Sequence, residues 1–384
     1  YPMRVVISAH NVVDYPLGGG HFWVYLQYAD GLRRLGCDVW WLEDVRSDAD
    51  PAARQHLMQT LVSRLAEYGL GGKGIFYAGQ EFLNAPSLEV RRIFRDADLL
   101  LNFHQRIAPW VLELFRRTAL VDIDPGLLQY WMSSGDLDVE PHDLYLTTGE
   151  TVGTPQARFS DCGLTWIRIR PPVSLELWPA RAGPDDAACT TVSGWWGNDE
   201  WLSFDGVPCD NNKRAAFLRF LDLPAATTVP LELALMLDLD EPHDVHDKRL
   251  LLQKGWRVRH SHDVAGTPEK YQRYIQSSRG EFSCAKASCM RFANAWVSDR
   301  TLCYLASGRP VVVEDTGPST ILPNGLGMFR FSTVDEAAAA LETVQADYEK
   351  HSAAARELAL EFDAKRVCET ILDRCAGTLA GTRR

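Results

Sequence analysis

The sequence predicts an α/β protein of two domains, each built on a parallel sheet. Strand and helix signals alternate along nearly the whole chain, the pattern of helices layered on parallel strands. A length of 384 residues exceeds what one ordinary core covers. The alternation is also interrupted once, by Pro171-Pro172 and then the run from Pro179 to Pro184, and it restarts afterwards.

Taken in order, Arg4 to Ser8 reads as a strand, and Asn11 to Gly20 as a loop rich in turn residues. A helix from about His21 to Leu35 follows, because Phe22, Tyr25, Leu26, Ala29 and Leu32 share one face. Gly36 stops it and Cys37 to Leu42 returns as a strand. Leu99 to Phe103, Leu120 to Ile123 and Leu144 to Thr148 are further short strands. Beyond the proline break come Thr190 to Trp195 as a strand, a helix near Arg214 to Leu221, and a strand at Leu231 to Leu237. Trp256 to His260, Gly280 to Cys284 and Val311 to Val313 continue as strands, and Asp335 to Tyr348 and Ser352 to Leu372 as helices. The domain reading is 1–180 and 181–350, with a helical segment 351–384 expected to pack back toward the first domain.

Composition narrows the function. A net charge of −11 argues against nucleic acid or an anionic membrane as the main partner, while leaving room for a small basic pocket. No apolar run reaches the length of a membrane span, and Met3 to Ile7 reads as a strand rather than a leader, so the expected location is the cytoplasm. Nine scattered cysteines without a Cys-x-x-Cys pair read as reduced thiols, giving neither a disulfide framework nor a zinc site. No metal and no resident cofactor is expected.

The stretch from Ser298 to Val313 is the most informative. Ser298 suits an N-cap, Gly308 a C′ position, Pro310 forbids continuation, and Val311-Val312-Val313 suits a covered parallel strand. Arg300 falls in the first turn, where the helix dipole disfavours a cation. A bound phosphate would resolve that conflict, and so would a pairing of Arg300 with Asp299 or another surface carboxylate.

Other candidates are weaker. Gly18-Gly19-Gly20, between the first strand and first helix, allows close approach to a ligand or forms a plain turn. It is not Gly-x-Gly-x-x-Gly, which weakens a nicotinamide reading, and no Walker loop is present. His21 is placed to act as a general base, or to cap the helix. Glu281 and Lys286 lie toward the end of one strand, where they face the usual ligand crevice or form a surface ion pair. His243, His246, His260 and His262 with Asp244, Asp247 and Asp263 match no compact metal pattern and read as solvated loops. Trp195-Trp196 and Trp201 offer an aromatic wall or ordinary core.

Three stretches carry a family resemblance. They are Pro16 to Gly20 running into Leu32 to Gly36, Tyr145 to Glu150 with Pro171-Pro172-Val173, and Ser298 to Val313 extending through Asp315-Thr316-Gly317 and Leu322-Pro323. Together they resemble the GT-B glycosyltransferases, and among them the bacterial group 1 proteins related to CgeB-like spore-coat proteins. The resemblance implies two Rossmann-like domains facing a cleft. It implies a nucleotide-diphosphate sugar held mainly by the C-terminal domain, and a small-molecule or glycan acceptor, reacting through a hydroxyl or amine, held by the N-terminal one. Ser298, Asp299, Arg300 and Lys286 would meet the donor, with Gly18, Gly19 and Gly20 approaching it from the other wall. Electrostatics would then stabilise the leaving diphosphate without a metal.

The chain departs from the family where a pair of glutamates is usual. Cys303 and Ala295 fall at those positions, and Glu281 is the candidate for the missing acid. With His21 as base the anomeric centre would invert; the triple glycine favours retention. A nucleotide-sugar 2-epimerase of the same fold and a non-catalytic nucleotide-binding relative are the alternative readings.

Overall fold

The computed structural model describes residues 2–46, 48, 50–197 and 201–381, with backbone only at 201 and 377–381. The chain divides into two compact units. The first holds the chain up to Gly153, Phe159–Ser174 and the chain from Asp363 onward; the second holds Thr154–Arg158 and Leu175–Phe362.

The first unit contains β1 (Arg4–Ser8), β2 (Asp38–Asp44), β3 (Gly74–Ala78), β4 (Glu81–Phe82), β5 (Leu99–Asn102), β6 (Thr118–Asp122), β7 (Leu144–Thr147) and β8 (Trp166–Arg168). They form one sheet in the order β4-β3-β2-β1-β5-β6-β7-β8, parallel except at β4. Val5, Val6 and Ile7 of β1 are fully buried, as expected for β-branched residues in a strand covered on both faces. The helix Gly19–Arg34 buries the face read from its spacing: Phe22, Tyr25, Leu26, Ala29 and Leu32 are all covered.

The second unit contains β9 (Cys189–Ser193), β10 (Trp201–Phe204), β11 (Val207–Asp210), β12 (Leu231–Leu235), β13 (Arg257–His260), β14 (Gly280–Ser283), β15 (Val311–Glu314) and β16 (Met328–Phe331). The main sheet runs β13-β12-β9-β14-β15-β16, all parallel, and β10-β11 is a separate antiparallel hairpin. Phe282 of β14 stacks on Phe331 of β16, ring centres 5.3 Å apart, inside a core that also holds Trp195, Phe217, Phe220, Leu233 and Val312.

Two expectations change. The segment expected as one helix from Ser352 to Leu372 is a helix Tyr348–Ala359, a 3-10 turn Leu360–Phe362 and a second helix Ala364–Gly381. The interruption has a cause: Asp363 bridges to Val173, and the Ala364 amide donates to the Val173 carbonyl at 2.9 Å. Asp363 thus leaves the helical path for an extended pairing, and the chain from Asp363 onward belongs to the first unit.

The boundary near 180 also moves, to Ser174/Leu175. Residues 175–179 are claimed by the second unit. Arg356 donates to the carbonyls of Leu175 and Trp178, Gln272 to that of Leu177 and Gln276 to that of Pro179. Trp178 itself is completely covered. The prolines after it stiffen a segment already anchored.

Candidate functional site

In each parallel sheet the chain winds outward from one strand and then jumps back to that strand's other side. Loops at the carboxyl ends of the two strands flanking such a switch point separate and leave a crevice. In the second unit the pair is β9 and β14, because the chain runs β9, β12, β13 and then β14.

Arg300 lies at this point. It sits in the first turn of the helix Asp299–Ala306, whose N-cap Ser298 accepts from the Arg300 amide at 3.2 Å. Gly308 takes φ +73° just past the helix end, as its C′ role requires. The Arg300 side chain points inward: Nε donates to Glu281 Oε1 at 2.9 Å and Nη1 to the Val192 carbonyl at 3.1 Å. Burial opposes its charge, but Glu281 overrides this and holds the guanidinium firmly protonated. Arg300 Nη2 and Glu281 Oε2 are buried without a hydrogen-bond partner.

This geometry corrects two expectations. The conflict between Arg300 and the helix dipole is resolved by a carboxylate, and that carboxylate is a core residue rather than a surface one. Glu281 is the second residue of β14, 0% exposed, so it lies in the core against Arg300 rather than free at a strand edge. Asp299, beside them, has its carboxyl pushed up to about 6 by burial.

Lys213 completes the site and was not singled out in the sequence. It opens the helix Lys213–Leu218, capped by Asn212, whose Oδ1 accepts from the Ala215 amide at 2.8 Å. Its Nζ donates to the Cys284 carbonyl, just past β14, at 2.6 Å and lies 5.4 Å from the Trp296 ring centre. Burial, then Arg300 and, more weakly, Lys286, push its ammonium down to about 8. Lys286 is the N-cap residue of the next helix, Ala287–Phe292. The legible signal was Asn212 ahead of Lys213; starting the helix at Arg214 hid it.

The supporting loops are tied down. Glu314 at the end of β15 accepts from the Ala285 amide at 2.9 Å and from Arg219, and the Trp296 carbonyl accepts from Thr316 Oγ1 at 2.7 Å. Ala293 and Ala295 take φ +49° and +55° without being glycine. Such backbone strain persists only where neighbours over-determine it.

In the first unit the switch point lies between β1 and β5. His10, beyond β1, stacks on His104, beyond β5, with ring centres 4.5 Å apart and planes 18° from parallel. His21 Nε2 is 2.6 Å from the His10 carbonyl. A carbonyl only accepts, so Nε2 carries the proton and Nδ1 keeps the lone pair. Burial lowers the pKa of His21 and, aided by His10 and Arg106, takes that of His104 down to about 3. Burial thus favours the neutral form of both rings.

Gly18, Gly19 and Gly20 open the first helix, and no side chain caps it. Gly18 is needed for packing: a Cβ there would lie 2.3 Å from the Tyr15 ring.

Among the described residues no cluster of three or more His, Cys, Asp or Glu could hold a metal ion, and no helix is long and apolar enough to cross a membrane. Asp244 and Asp247, read as solvated, are buried on the helix Pro242–Gln253 and accept from Trp196 and Trp195. The Trp201 side chain lies outside the described residues.

The sequence matches no protein-family model and no curated protein sequence. Solved structures do match. The chain is similar to HepE from Anabaena in complex with UDP and glucose, at 13% identity and a TM-score of 0.61, covering 98% of this chain and 100% of that one. It is similar to a sucrose-phosphate synthase from Thermosynechococcus elongatus, at 11% identity and a TM-score of 0.57, covering 99% and 100%. An α-glucosyltransferase in complex with UDP and a mismatched DNA matches at 12% identity and a TM-score of 0.60, covering 98% and 99%. The fold is GT-B. At these identities the likeness is one of fold, and GT-B here means two Rossmann-like units with their topological switch points at β1/β5 and β9/β14.

Proposed function

We propose that the protein is a glycosyltransferase that moves a sugar from a nucleoside-diphosphate sugar to a hydroxyl or amine of a small-molecule or glycan acceptor. The observation that carries this reading is the placement of cations at the switch point of the second unit. Lys213 Nζ lies on the Cys284 carbonyl just past β14, Arg300 on the Val192 carbonyl of β9 and Glu281 of β14, and Lys286 at the head of the next helix. A lysine whose ammonium is destabilised by burial and by two neighbouring cations is a site short of negative charge. A diphosphate supplies that charge, and the same cations then stabilise it as it departs. Glycosyltransferases bound to UDP are among the GT-B structures that resemble the chain, which supports the choice of donor.

In this reading Glu281 positions Arg300, Ser298 caps the helix that carries it, and catalysis needs no resident metal. The stacked His10–His104 pair, with His21 tied to His10, forms the polar wall of the first unit, where the acceptor binds. Retention at the anomeric carbon is the stereochemical expectation, with His21 a positioning residue.

A thermal-shift screen with UDP, dTDP, GDP and ADP, with and without divalent metal, tests the donor site. A metal-independent rise with one diphosphate is expected, because a ligand that binds only the native state raises its stability. Product analysis with the matching nucleotide sugar follows. Nucleotide released only when an acceptor is added supports transfer, and an altered sugar nucleotide formed from donor alone would make the protein an epimerase. No shift with any diphosphate would remove the assignment.

A further inference from the structure

The two consecutive tryptophans after β9 have opposite fates. Trp195 is 1% exposed and donates from Nε1 to Asp247 Oδ2 at 2.8 Å. Trp196 is 48% exposed. An exposed apolar side chain alone needs no explanation, but this one is held in place. Its Nε1 donates to Asp244 Oδ1 at 2.6 Å, and the Arg214 guanidinium lies over the ring, 5.0 Å from its centre. Both anchors are themselves fixed. Asp244 is 4% exposed and accepts from the Asp238 amide at 2.7 Å, and Arg214 grips Asp247 with two hydrogen bonds of 2.6 and 3.2 Å.

The indole is thus pinned at its edge and on one face, with the rest open. Ordering it in advance removes much of the entropy loss a ligand would otherwise meet. Its position is also informative. Trp196 follows Ser193, the last residue of β9, and Arg214 follows Lys213 in the chain. The ring, through Arg214, and Lys213 therefore stand at the same helix start. Beside them, exposed Met236 stands at the end of β12, its amide donating to the Ser193 carbonyl.

We propose that Trp196 is the stacking platform for the nucleobase of a nucleoside diphosphate whose phosphates meet Lys213, Lys286 and Arg300. This rests on the donor site proposed above and assigns its aromatic end. A flat, pre-ordered indole matches the π-face of a base, which every base presents. Trp196 therefore supplies affinity and orientation for the nucleoside, and does not choose among bases.

The test is calorimetric titration of the protein with UDP, GDP, ADP, the nucleotide sugar of the one that binds, and inorganic pyrophosphate, using wild type, Trp196→Ala and Trp196→Phe. The alanine variant is expected to lose about 5- to 150-fold in affinity for the nucleoside diphosphate that binds wild type, the range for one stacked base. Pyrophosphate affinity should stay within about two-fold, and phenylalanine should restore most of the loss. Circular dichroism of each variant verifies that it is folded. Equal losses for nucleotide and pyrophosphate, or unchanged nucleotide affinity in the alanine variant, would overturn the platform while leaving the donor site standing. The same holds if Trp196→Ala weakens a nucleotide sugar but not the bare diphosphate, since the ring would then face the sugar. Failure of wild type to bind any of the probes would overturn both readings.

Discussion

Arg300 and Glu281 are nineteen residues apart in sequence, and each was a candidate for a different task. The fold makes them one object. Their pairing means that deleting either partner strands the other as a buried charge, an effect of about 3–5 kcal/mol. Arg300→Ala is therefore expected to lower stability by that amount in urea titrations, so a loss of donor binding in that variant cannot be read as a lost phosphate contact alone. The double variant Arg300→Met/Glu281→Leu should recover most of the loss, because an apolar replacement of a buried pair is often neutral. Simple additivity of the two single losses would show that the pair is not coupled.

Lys213 gives a cleaner handle on the chemistry. Its ammonium is pushed down to about 8, so the free protein loses that charge as pH rises through 8. A bound diphosphate favours the charged form and raises the pKa, so binding takes up a proton near pH 8 and weakens above it. Nucleotide affinity should fall by up to about ten-fold between pH 8 and pH 9, and Lys213→Arg should flatten that dependence. A flat wild-type profile by calorimetry would remove Lys213 from the phosphate site.

At the scale of elements, most of the central parallel strands and a few helices were legible because their signals are local. In contrast, β3, β8, β16 and helices such as Pro51–Glu67 and Pro242–Gln253 were not read. Val5-Val6-Ile7 and Val311-Val312-Val313 announce covered strands, and Ser298 with Gly308 brackets a helix by the two residues that its ends require. The break at residues 360–363 was not legible, since its cause is the distant backbone of Val173. Nor was the pairing of His10 with His104, which exists only because β1 and β5, far apart in the chain, are neighbours in the sheet.

The returning helix Ala364–Gly381 illustrates the same point. It lies against the first helix so closely that a Cβ on Gly31 would meet the Ala364 carbonyl oxygen at 2.4 Å and Cys368 Sγ at 2.7 Å. Mid-helix glycine disfavours helix by about 1 kcal/mol relative to alanine, so sequence alone recommends Gly31→Ala as stabilising. Overpacking of about 1–3 kcal/mol against immovable backbone outweighs that gain. A lower urea midpoint with an unchanged slope is expected, and a raised midpoint would mean that the two helices do not touch this closely.

For the molecule as a whole, the chain crosses between its two units at 153/154, 158/159, 174/175 and 362/363, and each unit has its own core. Units with separate cores are candidates for separate unfolding. The donor's phosphates and base are assigned entirely to residues of the second unit, so the free energy of nucleotide binding should enter through that unit. Calorimetric scans are expected to resolve two transitions. At a nucleotide concentration of about 100 times Kd, the transition of the second unit should gain about 2.7 kcal/mol. Hydrogen exchange read by mass spectrometry assigns the transitions, because amides of β14 and of the helix Asp299–Ala306 should gain protection with it while those of β1 to β3 follow the other. Equal stabilisation of both transitions, with protection spread over β1 to β3, would place nucleotide contacts on the first unit as well and require the phosphate assignment to be redrawn.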